Sequence, residues 1–237
     1  MSPRCNKRPI YQWVSLGLLG GKDVHPGRVN SGLEARAYRR NPVTDHLLTP
    51  QNAALVLIDF QPSQLQPVTS IDHDLLVDNI VSVARLAKTF ELPIVLSTIN
   101  VANGMKPTLR ELKSVLPTSL EIDRSEINAW ENGEFRHAVE RTGRRKLVLT
   151  ALPTEVSVAF PALDAMRDGY EIYPVVDAVG GMSLEAHRAG LARVVRAGGH
   201  PISWVSLACE LQRDWARFDT VSDVVHIVLT TRLLATA

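Results

Sequence analysis

Ala54-Leu55-Val56-Leu57-Ile58-Asp59 is the stretch on which the fold class turns. Five consecutive apolar residues with no polar alternation read as a strand buried on both faces, as in a parallel sheet. Asp59 closes the run, and Gln61-Pro62-Ser63 follows as a turn. Downstream, Leu76, Ile80, Val83, Ala87 and Phe90 recur at spacings of four, three, four and three, one stripe of a helix over Asp72 to Phe90. Pro93 then introduces a second strand, Ile94-Val95-Leu96-Ser97-Thr98.

The alternation continues to the end of the chain. Pro107 suits the first turn of a short helix through Leu116, and Leu120-Glu121-Ile122 reads as a weak strand. Glu131 to Arg141 reads as a helix with Phe135, Ala138 and Val139 on one side and Gly143 as its stop. Lys146-Leu147-Val148-Leu149-Thr150-Ala151 is a strong strand, followed by a helix through Met166 and a strand over Tyr170 to Val176. Glu185 to Ala197 is helical and stops at Gly198-Gly199. Ile202 to Ser206 reads as a strand, Cys209 to Arg217 as a helix beginning at the cysteine, and Val221 to Ala237 as an apolar-rich helix. This βαβ order predicts an α/β protein, a three-layer α/β/α sandwich with a mainly parallel central sheet and Rossmann-like topology.

Composition supports one sizeable core. The chain has 237 residues, 45% hydrophobic and 22% charged, with a formal net charge of +1. That balance gives no general pull towards nucleic acid or membrane. Charge is uneven, however: residues 1–47 hold 8 Lys/Arg against 3 Asp/Glu. This basic arm, with Gly20-Gly21-Lys22 and Pro26-Gly27-Arg28 and no hydrophobic period, reads as a disordered extension. A transit peptide is the other reading, although the amphipathic pattern is weak, and the apolar stretch Trp13 to Leu19 is too short to span a bilayer. The expected organisation is extension 1–47, main α/β domain 48–217 and C-terminal helical segment 218–237. Two cysteines, Cys5 and Cys209, make neither a disulfide framework nor a zinc site, so a reducing, cytoplasmic setting is expected.

In an open parallel sheet, ligands bind beyond the carboxyl ends of the strands. Three places draw attention there: Asp59, the segment Leu152-Pro153-Thr154-Glu155-Val156-Ser157 entering a helix, and Asp177. N–H groups at a helix start can stabilise an oxyanion. Read alone, an acid after a strand is also an ordinary turn residue, and a serine at a helix start can simply be a small packing residue. Ser157 does not sit in a serine-hydrolase elbow, which needs Gly two positions on either side; here those positions hold Glu155 and Ala159.

Four segments in order resemble the isochorismatase-like hydrolase superfamily, and its YcaC-type branch in particular. They are Ala54 to Gln61, Asp123-Arg124-Ser125-Glu126-Ile127-Asn128-Ala129-Trp130, Thr154-Glu155-Val156-Ser157-Val158-Ala159-Phe160-Pro161-Ala162-Leu163, and Trp204 to Trp215. The resemblance implies a catalytic Asp59 that shuttles a proton, an Arg124 that favours the charged forms, and Ser157 where the family has its nucleophilic cysteine. It also implies a cis peptide at Leu152–Pro153 and pocket or oxyanion roles around Gln61, Asn128, Trp130, Pro153, Thr154 and Val156. Pro153 has no N–H to give, so the oxyanion donors fall to Ser157 and Val156. No metal or other cofactor is expected: the stretch Asn100 to Met105, where nicotinamidases of the superfamily carry metal ligands, has no His or acid. The expected partners are a small carbonyl substrate and further copies of the chain.

The serine changes the chemistry. A thiol can be brought to thiolate by a neighbouring cation. An alcohol needs a matched base, usually His, and His187 and His200 read as helix and loop surface residues. Three readings stay open: a hydrolase for a small amide or imide with weak or no activity, a non-catalytic ligand-binding or oligomeric module, and a nucleophile substitution introduced into an active enzyme.

Overall fold

The computed structural model describes residues 46–233; the expectations for residues 1–45 and 234–237 lie outside it. Five strands form one sheet: β1 (Ala53–Ile58), β2 (Ile94–Ile99), β3 (Glu121–Arg124), β4 (Lys146–Ala151) and β5 (Glu171–Pro174). Their order is β3-β2-β1-β4-β5 and every pairing is parallel. Around them lie α1 (Pro62–Leu65), α2 (His73–Thr89), α3 (Arg110–Val115), α4 (Gly133–Arg141), α5 (Ala159–Arg167), α6 (Leu184–Arg196), α7 (Trp204–Gln212) and α8 (Phe218–Leu233). The strand order reverses at β1/β4, so the crevice of this topology opens beyond Ile58 and Ala151.

The apolar run that suggested a doubly buried strand is one: all six residues of β1 are buried. Its alternate side chains serve two cores. Ala53, Leu55 and Leu57 pack with Leu76, Ile80 and Val83 of α2 and with Leu207 and Leu211 of α7. Ala54, Val56 and Ile58 pack with Phe135 and Val139 of α4 and Ala162 and Ala165 of α5. This gives the three layers. The last helix belongs to the first core: Val224 and Ile227 of α8 are buried there against the same domain. Of the apolar C-terminal run, Val224 and Ile227 are thus covered by the chain itself, while Leu229 stays exposed. No helix among the described residues is long and apolar enough to cross a membrane.

Where the elements depart from expectation, polar side chains bonded to the backbone explain it. Ile202 to Ser206 is no strand; only Ile202 bridges Val175. The Ser203 hydroxyl accepts the Ser206 N–H at 3.1 Å and Asp177 Oδ1 accepts the Trp204 N–H at 2.9 Å, so helix α7 starts five residues before Cys209. It stops at Gln212, with Arg213 at φ 61°, rather than running to Arg217. Likewise the helix expected from Glu131 divides at Asn132. A short 3₁₀ turn over Ala129–Glu131 precedes α4, whose first turn is capped by the Asn132 side chain accepting from Phe135 N–H at 2.9 Å.

Helix α6 rests directly on the chain that leaves β4. A Cβ on Gly190 would lie 2.8 Å from Glu155 Cα and 3.1 Å from Glu155 N, both immovable backbone. In an open helix, Gly→Ala gains about 1 kcal/mol. Here Gly190→Ala should instead destabilise by about 1–3 kcal/mol, because overpacking wins. Urea unfolding should show a lower midpoint at unchanged slope; a raised midpoint would mean that α6 can move away freely.

Candidate active site

The ends of β1, β3 and β4 bring three side chains together. Arg124, the last residue of β3, donates from a terminal guanidinium nitrogen to Asp59 Oδ2 at 2.6 Å. Ser157 Oγ donates to the same oxygen at 2.9 Å. Asp59, Arg124 and Ser157 are only 2%, 4% and 3% exposed, so the ion pair has little water to replace either partner. Breaking such a pair from one side leaves an uncompensated buried charge.

Each member is held by its own backbone. Asp59 sits just past β1 at φ 60°, a left-handed conformation that Asp tolerates better than most residues. Its N–H still reaches Ser97 O at 2.9 Å, keeping it in line with the sheet. The second terminal nitrogen of Arg124 donates to the carbonyls of Glu126 and Ile127, which curl the loop after β3 around the guanidinium. Ser157 is carried on a wide π-helical turn, Thr154–Val158, that follows a cis Leu152–Pro153 peptide and leads into α5.

The other residues singled out in the sequence take distinct places. Gln61 is fully buried and its amide clamps the backbone: Nε2 donates to Ile99 O and Lys106 O, and Oε1 accepts from Ile99 N–H at 2.8 Å. Asn128 donates to Asp164 Oδ2 at 2.7 Å, and the Trp130 indole N–H donates to Asp168 Oδ2 at 2.7 Å, so both tie the loop after β3 to α5. Trp130 also meets Phe135 and Tyr170 edge-on. Val156 N–H and Ser157 N–H both donate to Pro153 O, at 3.2 and 2.8 Å, closing the turn on itself. Thr154 is fully buried; its N–H donates to Gly180 O at 2.9 Å and its hydroxyl shares a 2.9 Å hydrogen bond with His187 Nδ1.

That last contact corrects the reading of His187 as a plain surface residue: its ring is half-buried against the turn. Only the Thr-to-His contact in space reveals it, since His187 lies 33 positions away in the chain. His200 is exposed, stacked obliquely on Tyr173. Asp123, beside Arg124, spends its carboxylate on Val101 N–H and Ala102 N–H, both at 2.9 Å, and so wraps the loop after β2. Among the described residues, no three His, Cys, Asp or Glu side chains gather to hold a metal ion.

Known proteins resemble this chain over much of its length. Residues 53–206 match the family model for the isochorismatase domain. The chain is 37% identical over 169 residues to the probable hydrolase YcaC of Escherichia coli (strain K12), spanning 71% of this chain and 81% of that protein. Among solved structures, YcaC from Pseudomonas aeruginosa with hexane-2,5-diol and covalent acrylamide superposes with a TM-score of 0.71 at 31% identity, over 79% of this chain and 98% of that one. The Escherichia coli YcaC structure, an octameric hydrolase of unknown specificity, gives a TM-score of 0.71 at 32% identity, over 80% and 98%.

Burial holds the Asp59 carboxyl above the usual carboxylate range, against the opposite pull of Arg124 and Ser157. A folded pKa raised above the unfolded value of about 3.9 contributes stability that is full below that value and is lost as pH rises through the folded pKa. The stability of the wild type relative to Asp59→Asn should therefore fall as pH rises above about 4, read from urea unfolding at each pH. A difference that grows with pH would mean that Arg124 keeps the carboxylate ionised despite its burial.

Proposed function

The chain belongs to the isochorismatase family, and from that premise we propose that it is a hydrolase scaffold for a small amide- or imide-type carbonyl substrate, with Asp59, Arg124 and Ser157 as its reacting cluster and little or no turnover with serine at position 157. The observation that carries this reading is the buried Ser157–Asp59–Arg124 hydrogen-bonded chain at the carboxyl edge of the sheet. Supporting it, the related YcaC of Pseudomonas aeruginosa carries a covalent acrylamide, itself a small amide.

The proposed chemistry follows from what each group can do. With a thiol at position 157, the Asp59 carboxylate takes its proton and the sulfur attacks the carbonyl carbon. The amine then leaves with that proton, and water, deprotonated by Asp59, releases the acid from the thioester. Arg124 balances one negative charge throughout, whether it rests on oxygen or sulfur. With an alcohol, the first transfer fails, because a carboxylate is far too weak a base for a hydroxyl, which needs a matched base such as His. The serine at position 157 also favours a second reading, a member that binds a small carbonyl compound without converting it.

An amidase and esterase panel separates the two. The protein should hydrolyse amides very slowly or not at all, and Ser157→Cys should raise the rate by at least about 100-fold, roughly 2.7 kcal/mol of barrier. Equal rates for both forms would mean that another base activates Ser157. No hydrolysis by either form would favour the binding reading.

We also propose that the chain assembles with copies of itself, as the octameric Escherichia coli YcaC does. Light scattering at micromolar concentration should give a mass several times the 26.1 kDa of one chain. A single species near the monomer mass would overturn this.

A further inference from the structure

We infer that His187 is a positioning residue for the turn that carries Ser157: acting through Thr154, it holds the turn closed when neutral and releases it when protonated. The inference rests on the proposed role of Ser157 and extends it to a residue on a separate helix.

The geometry is a tether with two strands. Thr154 opens the π-helical turn, three residues before Ser157. Its backbone N–H is fixed to Gly180 O and its hydroxyl to His187 Nδ1. Helix α6 and the loop before it are brought into contact with the turn by two missing side chains. A Cβ on Gly181 would stand 2.7 Å from Glu155 Oε2 and 2.8 Å from His187 N, and one on Gly190 would strike Glu155 Cα. The turn is thus pressed against α6 with no slack, and His187 is the side chain of α6 that bonds to it. The Ser157 N–H, by contrast, closes on Pro153 O inside the turn.

The direction of the Thr154–His187 bond can be assigned. A buried hydroxyl must find an acceptor for its proton. Thr154 Oγ1 is fully buried and, among the described residues, its hydrogen-bond partner is Nδ1 of His187. Thr154 therefore donates, and Nδ1 accepts in the neutral ring whose proton sits on Nε2. Protonation places hydrogen on both ring nitrogens. Nδ1 can then only donate, and the buried Thr154 proton loses its acceptor. The charged groups acting on the ring are Glu155 of the turn and Arg188 of its own helix. Burial is the largest influence and lowers the imidazole's proton affinity; Arg188 acts the same way and Glu155 opposes them. The ring is accordingly neutral at physiological pH and gains its proton below the usual histidine range.

Amide hydrogen exchange in the unmodified protein reads the turn directly, through a peptide covering Leu152 to Phe160. Wild type should keep this segment protected at pH 7 and lose protection, after correction for intrinsic exchange, as pH falls below about 6.5. Thr154→Val and His187→Leu should each lose at least tenfold in protection there at pH 7, while β1 and α2 stay unchanged. His187→Asn, whose amide oxygen stands near the place of Nδ1 and does not titrate, should keep protection at both pH values. Unchanged protection in Thr154→Val, or the same low-pH loosening in His187→Asn, would overturn the inference. A second readout uses Ser157→Cys: adding His187→Leu should lower kcat for an amide at least tenfold with KM held, and His187→Asn should restore it. If Ser157→Cys hydrolyses nothing, the proposed function fails, while the exchange experiment still decides the role of His187.

Discussion

The buried Asp59–Arg124 pair is the constraint to which the rest of the domain conforms. An isolated carboxylate or guanidinium at this depth would cost several kcal/mol of lost hydration, which only a partner at contact distance offsets. The partners come from β1 and β3, which are not neighbours; β2 lies between them. The two side chains meet only because β2 holds β1 and β3 in parallel register, pairing Ile58 with Ser97 and Ile99 with Arg124. A slip of one residue in either pairing would send one member of the pair to the opposite face. Register, strand order and the left-handed backbone at Asp59 are thus coupled to a single 2.6 Å contact.

The third member arrives by a different device. Strand β4 pairs with β1 on the other side and delivers the chain to the same edge, where a cis proline and a π-helical turn replace an ordinary helix start. Such wide turns recur at functional positions because they displace one residue from the helical path. Here the displaced turn is supported from outside, by an α6 thinned to glycine at the contact and by the Thr154 side chain reaching into it. Thr154 and Ser157 are both buried, although they lie at the rim of a sheet.

Much of the frame was legible in the residues. Unbroken apolar runs identified β1 and β4, and the 3.6-residue stripe of Leu76, Ile80, Val83 and Ala87 identified α2, because burial on two faces or one leaves those patterns directly in the sequence. Ile202 to Ser206 misled for the same reason: Trp204 and Val205 look like strand residues, and only the caps from Ser203 and Asp177 show that a helix begins there. The convergence of Asp59, Arg124 and Ser157 was not written in spacing or periodicity; it came from resemblance to a family. His187 escaped both routes. A histidine on a helix four residues past its cap carries no sequence mark of what it faces, and the two glycines that bring it to the turn, Gly181 and Gly190, read simply as turn and helix residues. Contacts set by a missing side chain are visible only in three dimensions.

The proposed exchange of sulfur for oxygen at position 157 has a definite electrostatic consequence. Asp59 Oδ2 takes both hydrogen bonds, while Oδ1 is buried with no partner among the described residues. The cluster therefore holds one fixed positive charge and one negative charge with a single polar face. With sulfur at position 157, that negative charge can pass between carboxylate and thiolate without adding to the buried total, because Arg124 balances either state. With oxygen there, the second state would be an alkoxide, and the charge cannot leave Asp59 except by protonation from water. Nothing else in the pair, the register or the turn needs to alter, because a serine hydroxyl donates to Oδ2 as a thiol would. Serine at this position is therefore accommodated by the hydrogen bond it donates to Asp59, and the proposed difference from a thiol lies in where the negative charge can go.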